Sequence, residues 1–441
     1  MRKMFLPVAL AIGILLITVS TSAQRILNLE EAIATTLKNN FDIQLARNDS
    51  AVAALDYSFR NAAFLPRINA NLGTTFNNNN QKQRFLDGSQ RQLKDIRSNN
   101  YTAAIQLNWV LFDGLKMFAT RDKAAEFIKL GEFAIKNQVV NSVAAAITNY
   151  YAIVRQKQQL KAIVEQIALN QERVKLSQYK LDIGVGTKPD VLQSKVDLNA
   201  QKAALLNVET VTAQLKEQLN QVMNVEAKTS YDVIDTIPIN MQVELSDIQS
   251  NFENSSPLLL MAQKNIDIAG FTLKERKAER YPVVALNSSY NYNRNNNKAT
   301  VNPFQPLYSR NFGRTIGFTV SIPILNNLNT RRLIKQAELD IQYQQLVYYN
   351  QKSLISLNII NAYKDYELQK RALALEEENI LLAKENVDII FQVYKLNSNT
   401  LIQLKEAQKS LQDAYTRLID ARYSTKNAET ELLRLKGDLI R

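Results

Sequence analysis

From Leu115 to Lys188, and again from Ile324 to the end of this 441-residue chain, there is no proline and almost no glycine. Ala, Leu, Gln, Glu and Lys dominate both stretches, and these residues lose little on entering a helix. In the first stretch Val139, Val143, Ala146, Tyr150, Ile153, Lys157, Leu160, Val164, Ile167, Gln171, Val174, Gln178 and Leu181 follow one another at steps of three and four. Ten of the thirteen are apolar, which predicts a coiled-coil-like seam. As one near-continuous helix, Leu115 to Ile183 would be roughly 100 Å long at 1.5 Å per residue. No compact globular domain needs such a rod, so the pattern predicts an element that spans something.

Four segments, at about 67–76, 101–112, 283–292 and 312–323, read instead with period two. In the first, Ile68, Ala70, Leu72, Thr74 and Phe76 alternate with Arg67, Asn69, Asn71, Gly73 and Thr75. In the fourth, Ile316, Phe318, Val320 and Ile322 alternate with Thr315, Gly317, Thr319 and Ser321. One apolar and one small polar face fits a transmembrane barrel strand, and also a half-buried antiparallel strand. The polar faces carry Asn, Thr, Ser, Gly and Gln rather than charges, as suits a wet lumen. Aromatics gather near the strand ends (Phe76, Tyr101, Trp109, Tyr290, Tyr292, Phe312), as in an interfacial girdle. Both details favour the barrel. Two Asn- and Gln-rich connections, Asn77–Asn100 and Asn293–Arg310, read as long polar loops.

Arg2 and Lys3, the apolar run Phe5–Val19 and the small residues Thr21-Ser22-Ala23 before Gln24 predict a cleavable secretory signal at 1–23. The chain has no Cys and no His. That excludes a disulfide framework, most hydrolytic triads and nearly all zinc sites. No catalytic residue, metal site or cofactor is assigned, and the chain does not read as an enzyme. The net charge of +12 is spread along helical segments among Glu, Asp and Gln, which reads as solvated helix faces rather than a nucleic-acid surface. Beyond the signal no apolar run makes a transmembrane helix, so membrane insertion would have to use strands.

The order helix, strand, loop, strand, long helix, turn, helix occurs twice. Phe64-Leu65-Pro66 is echoed by Arg280-Tyr281-Pro282, and Tyr179-Lys180-Leu181 by Tyr394-Lys395-Leu396, 215 residues later. Such a long period means two halves rather than a solenoid. We expect a first repeat at 24–230 with a helical hairpin tip at about 182–190. A linker at 231–250 follows, then a second repeat at 251–441 with a tip at about 396–400. Four strands cannot close a barrel, and open edges are forbidden in lipid, so the chain must oligomerise. Two copies give eight strands with a filled interior, whereas three give twelve and leave a lumen.

Leu27-Asn28-Leu29-Glu30-Glu31-Ala32, Lys38-Asn39-Asn40, Phe64-Leu65-Pro66, Leu111-Phe112-Asp113-Gly114-Leu115, Gly184-Val185-Gly186-Thr187 and Asp190-Val191-Leu192 occur in the order seen in one family. Over essentially its whole mature length the chain resembles the TolC-like outer-membrane efflux proteins. The resemblance implies a mainly α fold with a membrane β-barrel: a homotrimer with a twelve-strand barrel in the outer membrane and a long periplasmic helical barrel. The tip would dock to a periplasmic adaptor joined to an inner-membrane transporter of the RND or ABC kind. The region around Val225–Leu245 would be the equatorial domain. The channel itself would be a passive conduit for small toxic molecules, with protein secretion as the alternative cargo.

For the tips the resemblance implies docking by Gly184, Gly186, Thr187, Lys188 and Pro189, and by Asn397, Ser398 and Asn399. Gly184, Gly186 and Pro189 are also what any tight helical hairpin would use. The entrance constriction would comprise Asp190, Tyr394, Gln403 and Glu406. Gln403 and Glu406 fall on the family's acidic-ring positions and, three apart, share one helix face. Asn399 falls where some members carry a gating Arg, with Asp190 at its partner position. A periplasm-spanning coiled-coil structural protein would explain the helices and the signal, but not the strands. A carboxylate enzyme would need paired acids in a cleft, and no cleft-forming domain is apparent.

Overall fold

The computed structural model describes residues 25–396, 398–437 and 439; the expected signal at 1–23 lies outside the described residues. In chain order the elements are β1 (Ile26–Leu27), α1 (Leu29–Asn39), α2 (Phe41–Ser58), a 3-10 turn (Ala62–Phe64), β2 (Arg67–Arg84), β3 (Gln90–Phe112), α3 (Lys116–Asp182), α4 (Lys188–Met223), β4 (Asp232–Val233), α5 (Leu245–Ser255), α6 (Pro257–Ala278), β5 (Val283–Asn297), β6 (Tyr308–Ser321), α7 (Asn329–Lys395) and α8 (Leu401–Lys436).

The duplication is metrical. Helices α3 and α7 are both 67 residues long, and α4 and α8 both 36. The strand-to-helix junctions match as well. Gly114 (φ 74°) and Leu115 (φ 71°) enter α3, while Asn327 (φ 55°) and Leu328 (φ 60°) enter α7. Only Gly adopts this left-handed region freely. In each junction the residue just before the pair caps the helix. The Asp113 carboxylate accepts from Met117 N–H at 3.1–3.2 Å, and Asn326 Oδ1 from Thr330 N–H at 3.5 Å. The structural offset of these helices is thus 213 residues, Lys116 to Asn329. The Tyr-Lys-Leu echo at 215 is therefore out of register. Tyr179 is exposed whereas Tyr394 is buried, so the two triplets share letters but not a place.

The strands form one antiparallel sheet in the order β2-β3-β5-β6. The hairpins of the two halves are joined by β3 against β5, with Ile105 opposite Tyr290 and Asn108 opposite Asn287. Directly opposed residues share a face, so the register defines both surfaces. Rows such as Ile68–Leu107–Ser288–Ile316 and Leu72–Ala103–Tyr292–Phe312 line one face. Rows such as Asn69–Gln106–Ser289–Thr315 and Arg67–Asn108–Asn287–Gly317 line the other. An ordinary half-buried strand would cover its apolar face. Here that face is bare: Leu72 is 85% exposed and Phe318 70%. The polar face is knitted by Asn108 Nδ2 to Asn287 Oδ1 at 2.6 Å, Asn287 Nδ2 to Thr319 Oγ1 at 2.9 Å and Asn71 Nδ2 to Gln106 Oε1 at 3.2 Å. Both outer strands, β2 and β6, keep an edge that is unpaired among the described residues.

The polar connections differ from expectation. Most of Asn77–Asn100 is strand, since β2 and β3 continue their ladder to Arg84–Gln90 past a bulge between Asn79 and Gln81. The turn itself is Phe85–Ser89, closed by Phe85 N–H to the Ser89 carbonyl at 2.9 Å, with Gly88 at φ 86°. In the second hairpin, Asn293–Asn297 and Tyr308–Arg310 are likewise strand. Asn and Gln are poor strand formers on average, but pairing is set by context. A ribbon polar on both faces needs no alternation, so a period-two search loses it. Backbone pairing and cross-strand contacts such as Asp95 N–H to Asn80 Oδ1 at 2.8 Å sustain it instead.

By packing, the chain divides into two compact units. One joins the described residues of Met1–Asn39 to Ala145–Ile239 and Ala372–Lys426; the other is Asn40–Ala144, Asn240–Arg371 and Asn427–Arg441. Each unit takes elements from both halves of the sequence, so the division by packing runs across the division by repeat. The first has a core of Leu373, Ile380, Val387, Leu411 and Leu418 along α7 and α8. It also contains the parallel β1–β4 clasp, where Tyr150 Oη donates to the Leu27 carbonyl at 2.8 Å and Lys157 pairs with Asp232 at 2.6 Å. The second contains the sheet and a core of Ile248, Phe252, Leu259, Ile359, Tyr366 and Leu432.

Candidate functional site: the paired helical tips

The first tip is the five-residue link between α3 and α4. Val185 N–H donates to the Lys180 carbonyl at 2.9 Å and Gly184 N–H to that of Leu181 at 3.0 Å. With Gly184 at φ 80°, this is a Schellman ending. Gly186 is needed for a different reason: a Cβ there would lie 2.8 Å from Lys180 Cβ and 2.9 Å from Leu181 N. Thr187 then caps α4. Its hydroxyl accepts from Asp190 N–H at 3.4 Å and donates to the Asp190 carboxylate at 2.7 Å, and Pro189 occupies the first helical turn. Asp190, expected at the constriction, is held in this cap. Lys188 is exposed.

The second tip reproduces the plan without glycine. Ser398 N–H reaches back to the Val393 carbonyl at 3.2 Å. Thr400 and Gln403 form a reciprocal capping box: Gln403 N–H donates to Thr400 Oγ1 at 3.4 Å, and Thr400 N–H to Gln403 Oε1 at 3.0 Å. The Gln403 amide, expected in an entrance ring, is thus folded onto its own helix end. Asn397 lies outside the described residues; Ser398 is exposed and Asn399 half-buried. Glu406, one turn further, is exposed and forms no hydrogen bond or ion pair among the described residues.

Tyr394, also expected at the constriction, is packed between the two hairpins. It is buried, its ring 3.6 Å beneath the Lys180 ammonium, its carbonyl accepting from Lys180 Nζ at 2.5 Å and its hydroxyl 3.4 Å from Ser177 Oγ. Burial lowers the pKa of Lys180, partly offset by the Asp190 charge. Lys180 and Ser177 belong to a stripe on α3 that the sequence reading missed: Gln166, Asn170, Arg173, Ser177 and Lys180, all buried. It has the same three-and-four spacing as the predicted seam, one residue earlier. Of the seam over this stretch, Val164 is exposed and Ile167, Val174 and Leu181 are half-buried.

Arg173 is the centre of this stripe and only 1% exposed. Its guanidinium donates at 2.7 Å to Asp197 on α4 and at 2.7 Å to Gln408 on α8. Asp197 also accepts from Gln193 at 2.8 Å and from Lys405 at 3.1 Å. Burial pushes the Asp197 carboxyl upward, but those hydrogen bonds and the charges of Arg173 and Lys405 outweigh it and hold the pKa below the usual value. The same burial lowers the pKa of Arg173 despite its partner. This cluster ties the first hairpin to the second. Around the turns the exposed side chains include aliphatics, namely Ile183, Val185, Leu396 and Ile402, which the sequence reading passed over.

The chain matches the family model described as outer membrane efflux protein over residues 32–225 and 249–438. It is 21% identical over 421 residues to the outer membrane efflux protein BepC of Brucella suis biovar 1, covering 92% of this chain and 84% of that one. It is 24% identical over 396 residues to the outer membrane protein TolC of Vibrio cholerae serotype O1, covering 86% and 83%. In structure it resembles the CmeC outer membrane channel of Campylobacter jejuni, with a TM-score of 0.76 at 14% identity over 94% of this chain and 86% of that one. With its duplicated hairpins, its sheet bare on the apolar side and a family match along most of its length, the chain belongs to the outer membrane efflux proteins.

Proposed function

We propose that this protein is the outer-membrane exit channel of a tripartite efflux pump, conducting small toxic molecules passively from an inner-membrane transporter and its periplasmic adaptor. The observation that carries the reading is the sheet: an apolar face with no cover, a hydrogen-bonded neutral polar face, and open edges on β2 and β6. Lipid on one side and a wet lumen on the other satisfy the two faces. Further copies satisfy the edges, and three is the smallest number of four-stranded chains that leaves a lumen. The repeats are 24–230 and 251–441, joined by 231–250, and their helical hairpins stand in the periplasm.

The tips are the docking end. Gly184, Gly186 and Pro189 shape the first turn; Lys188, Ser398 and Asn399 supply polar contacts, and Ile183, Val185, Leu396 and Ile402 supply apolar area for the adaptor. Glu406, exposed and unpaired, faces the entrance and favours cations. Opening separates the hairpins and breaks the contacts of Arg173 and Lys180 to α8 and α7. The channel performs no chemistry, and its transport is driven by the partner.

The chain has no native Cys, so a single Cys at Asn399 is unique. Crosslinking it in living cells and identifying the captured proteins by mass spectrometry tests the docking. An adaptor together with a proton-driven RND-type pump is the expected result. An adaptor with an ATP-driven ABC-type exporter would shift the cargo to protein secretion. Capture of no inner-membrane component would overturn the docking.

A further inference from the structure

The register of the sheet places five basic residues together on the apolar face, at the hairpin-turn end of the strands. Rows of that face, from Val284–Val320 to Tyr292–Phe312, form an apolar band, about 27 Å along the strand at 3.4 Å per residue. The next outward-facing row is Thr74–Tyr101–Arg294–Arg310. Two rows further Arg97 lies beside Lys298, whose N–H donates to the Arg97 carbonyl at 2.9 Å. Arg314 stands within the band opposite Tyr290, and its long side chain can carry the guanidinium toward the Arg310 row. All five are exposed.

Two features make this more than a scatter of surface charge. First, the charge is largely unbalanced: from Arg280 through Ala337 the sequence holds no acidic residue. Of the two acids of the other ribbon, Asp87 is folded onto Ser89 and Asp95 accepts from Asn78, the residue opposite Arg97, at 3.5 Å; neither forms an ion pair among the described residues, and neither do the five bases. Second, the charge is confined to one face. The opposite face at the same level carries Thr102, Asn293 and Asn311, then Asn100, Asn295 and Ser309. The Arg294 guanidinium is also positioned, lying 5.9 Å from the Tyr101 ring centre and 5.6 Å from that of Tyr308.

We propose that this row is a binding site for the phosphorylated headgroup of an outer-leaflet lipid. The inference rests on the outer-membrane channel reading. An amphiphile with an anionic head and several acyl chains is what the surface complements: Leu72, Tyr292 and Phe312 meet the chains, and Arg294, Arg310, Arg97 and Lys298 meet the phosphates. Arginine suits this role because its planar fork matches phosphate oxygens in pairs. The lipid supplies negative charge that the second hairpin lacks, and so lets a strongly basic row sit at the edge of a membrane.

The assembled channel, purified in a neutral detergent, is titrated with diphosphorylated lipid A, with the same lipid stripped of its phosphates, and with inorganic phosphate as competitor. Bound lipid is read by native mass spectrometry. The phosphorylated lipid is expected to bind more tightly than the stripped one and to resist displacement by phosphate. A basic residue near a charged lipid surface contributes about a factor of five, so R294Q/R310Q lowers the affinity roughly 30-fold. R67Q, at the other end of β2 and on the opposite face, leaves it unchanged. Equal binding of the two lipids, or unchanged binding by R294Q/R310Q, overturns the proposal. Displacement of the lipid by inorganic phosphate overturns it too, since the site would then be one for a free anion. Density-gradient fractionation separates the two readings. Wild type in the outer membrane without lipid discrimination sinks only this inference, whereas absence from that membrane sinks both.

Discussion

Removing the carboxylate of Asp197 should damage the tip region far more than removing the guanidinium it faces. In D197A the Arg173 cation, only 1% exposed, keeps Gln408 but loses its one ion-pair partner among the described residues. Stranding one member of a buried pair costs about 3–5 kcal/mol. In R173M the carboxylate survives with Gln193 at 2.8 Å and Lys405 at 3.1 Å. The loss there is a partner for Gln408, about 1–3 kcal/mol. In D197A/R173M neither member of the pair is left stranded, so the double variant costs no more than R173M alone. Hydrogen exchange of the Gln166–Lys180 amides reads this directly. At 1.4 kcal/mol per decade, D197A should exchange roughly two to three and a half decades faster than wild type. The pH dependence follows from the depressed pKa of Asp197. Its contribution is complete above the unfolded carboxylate value of about 3.9 and disappears as pH falls through the lower native value. The difference between D197A and wild type should shrink over that acid range. Exchange no faster in D197A than in R173M, or a double variant equal to the sum of the singles, would refute the reasoning.

The caps give a local test: T187A and T400A should each destabilise the first turn of their helix by about 0.5–2 kcal/mol, seen as faster exchange there. A change confined to one tip would show that the two caps are not equivalent. G186A should be worse than G184A, because its Cβ meets α3 backbone at 2.9 Å whereas Gly184 has only its positive φ at stake; melting curves of the two variants rank them. E406Q should reduce cation over anion preference in planar bilayers, and an unchanged reversal potential in a salt gradient would take Glu406 off the pathway. On the sheet, L107R on the bare face should lower assembly in the outer membrane, at about 2–4 kcal/mol for an arginine near the midplane. Q106R on the adjacent polar face should be tolerated; equal yields would mean the faces are misassigned.

Much of this fold was legible because its signals are apolar and periodic. Helix α3 was expected over Leu115–Ile183 and is Lys116–Asp182. The alternation of β2 and β6 identified both faces before any pairing was known. Where the signal is not apolar, the reading failed. The Asn-rich ends of β2 and β3 are strand because their backbones pair, and their apolar residues, Leu93 and Ile96, stand three apart and show no alternation. The Tyr-Lys-Leu echo failed for the opposite reason. Three letters recur easily in helices built from a small alphabet, whereas the double left-handed turn at Gly114-Leu115 and Asn327-Leu328 is costly and so marks true equivalence.

The tips divide along the same line. Thr187-x-x-Asp190 and Thr400-x-x-Gln403 are helix-capping patterns in plain view, 213 residues apart, and the second closes as a full capping box. Reading Asp190 and Gln403 for charge and entrance position hid their use in ending a turn. The buried polar stripe was invisible for a deeper reason. A search for hydrophobic period finds where a helix is apolar, which coincides with where it is covered only if all its neighbours are apolar too. Helix α3 has two adjacent stripes at one spacing. From Val143 to Ile153 the apolar stripe is the buried one (Val143, Ala146, Tyr150, Ile153); below it the polar stripe is covered by α4, α7 and α8, while Val164, Ile167, Val174 and Leu181 are left partly or wholly bare. A lone chain would place these the other way round. Polar groups meet within the chain, where Arg173, Ser177 and Lys180 can each be matched one to one, and the apolar seam is left for a surface that the single chain does not contain. That is the pattern expected if the helices complete their packing only in the assembled barrel.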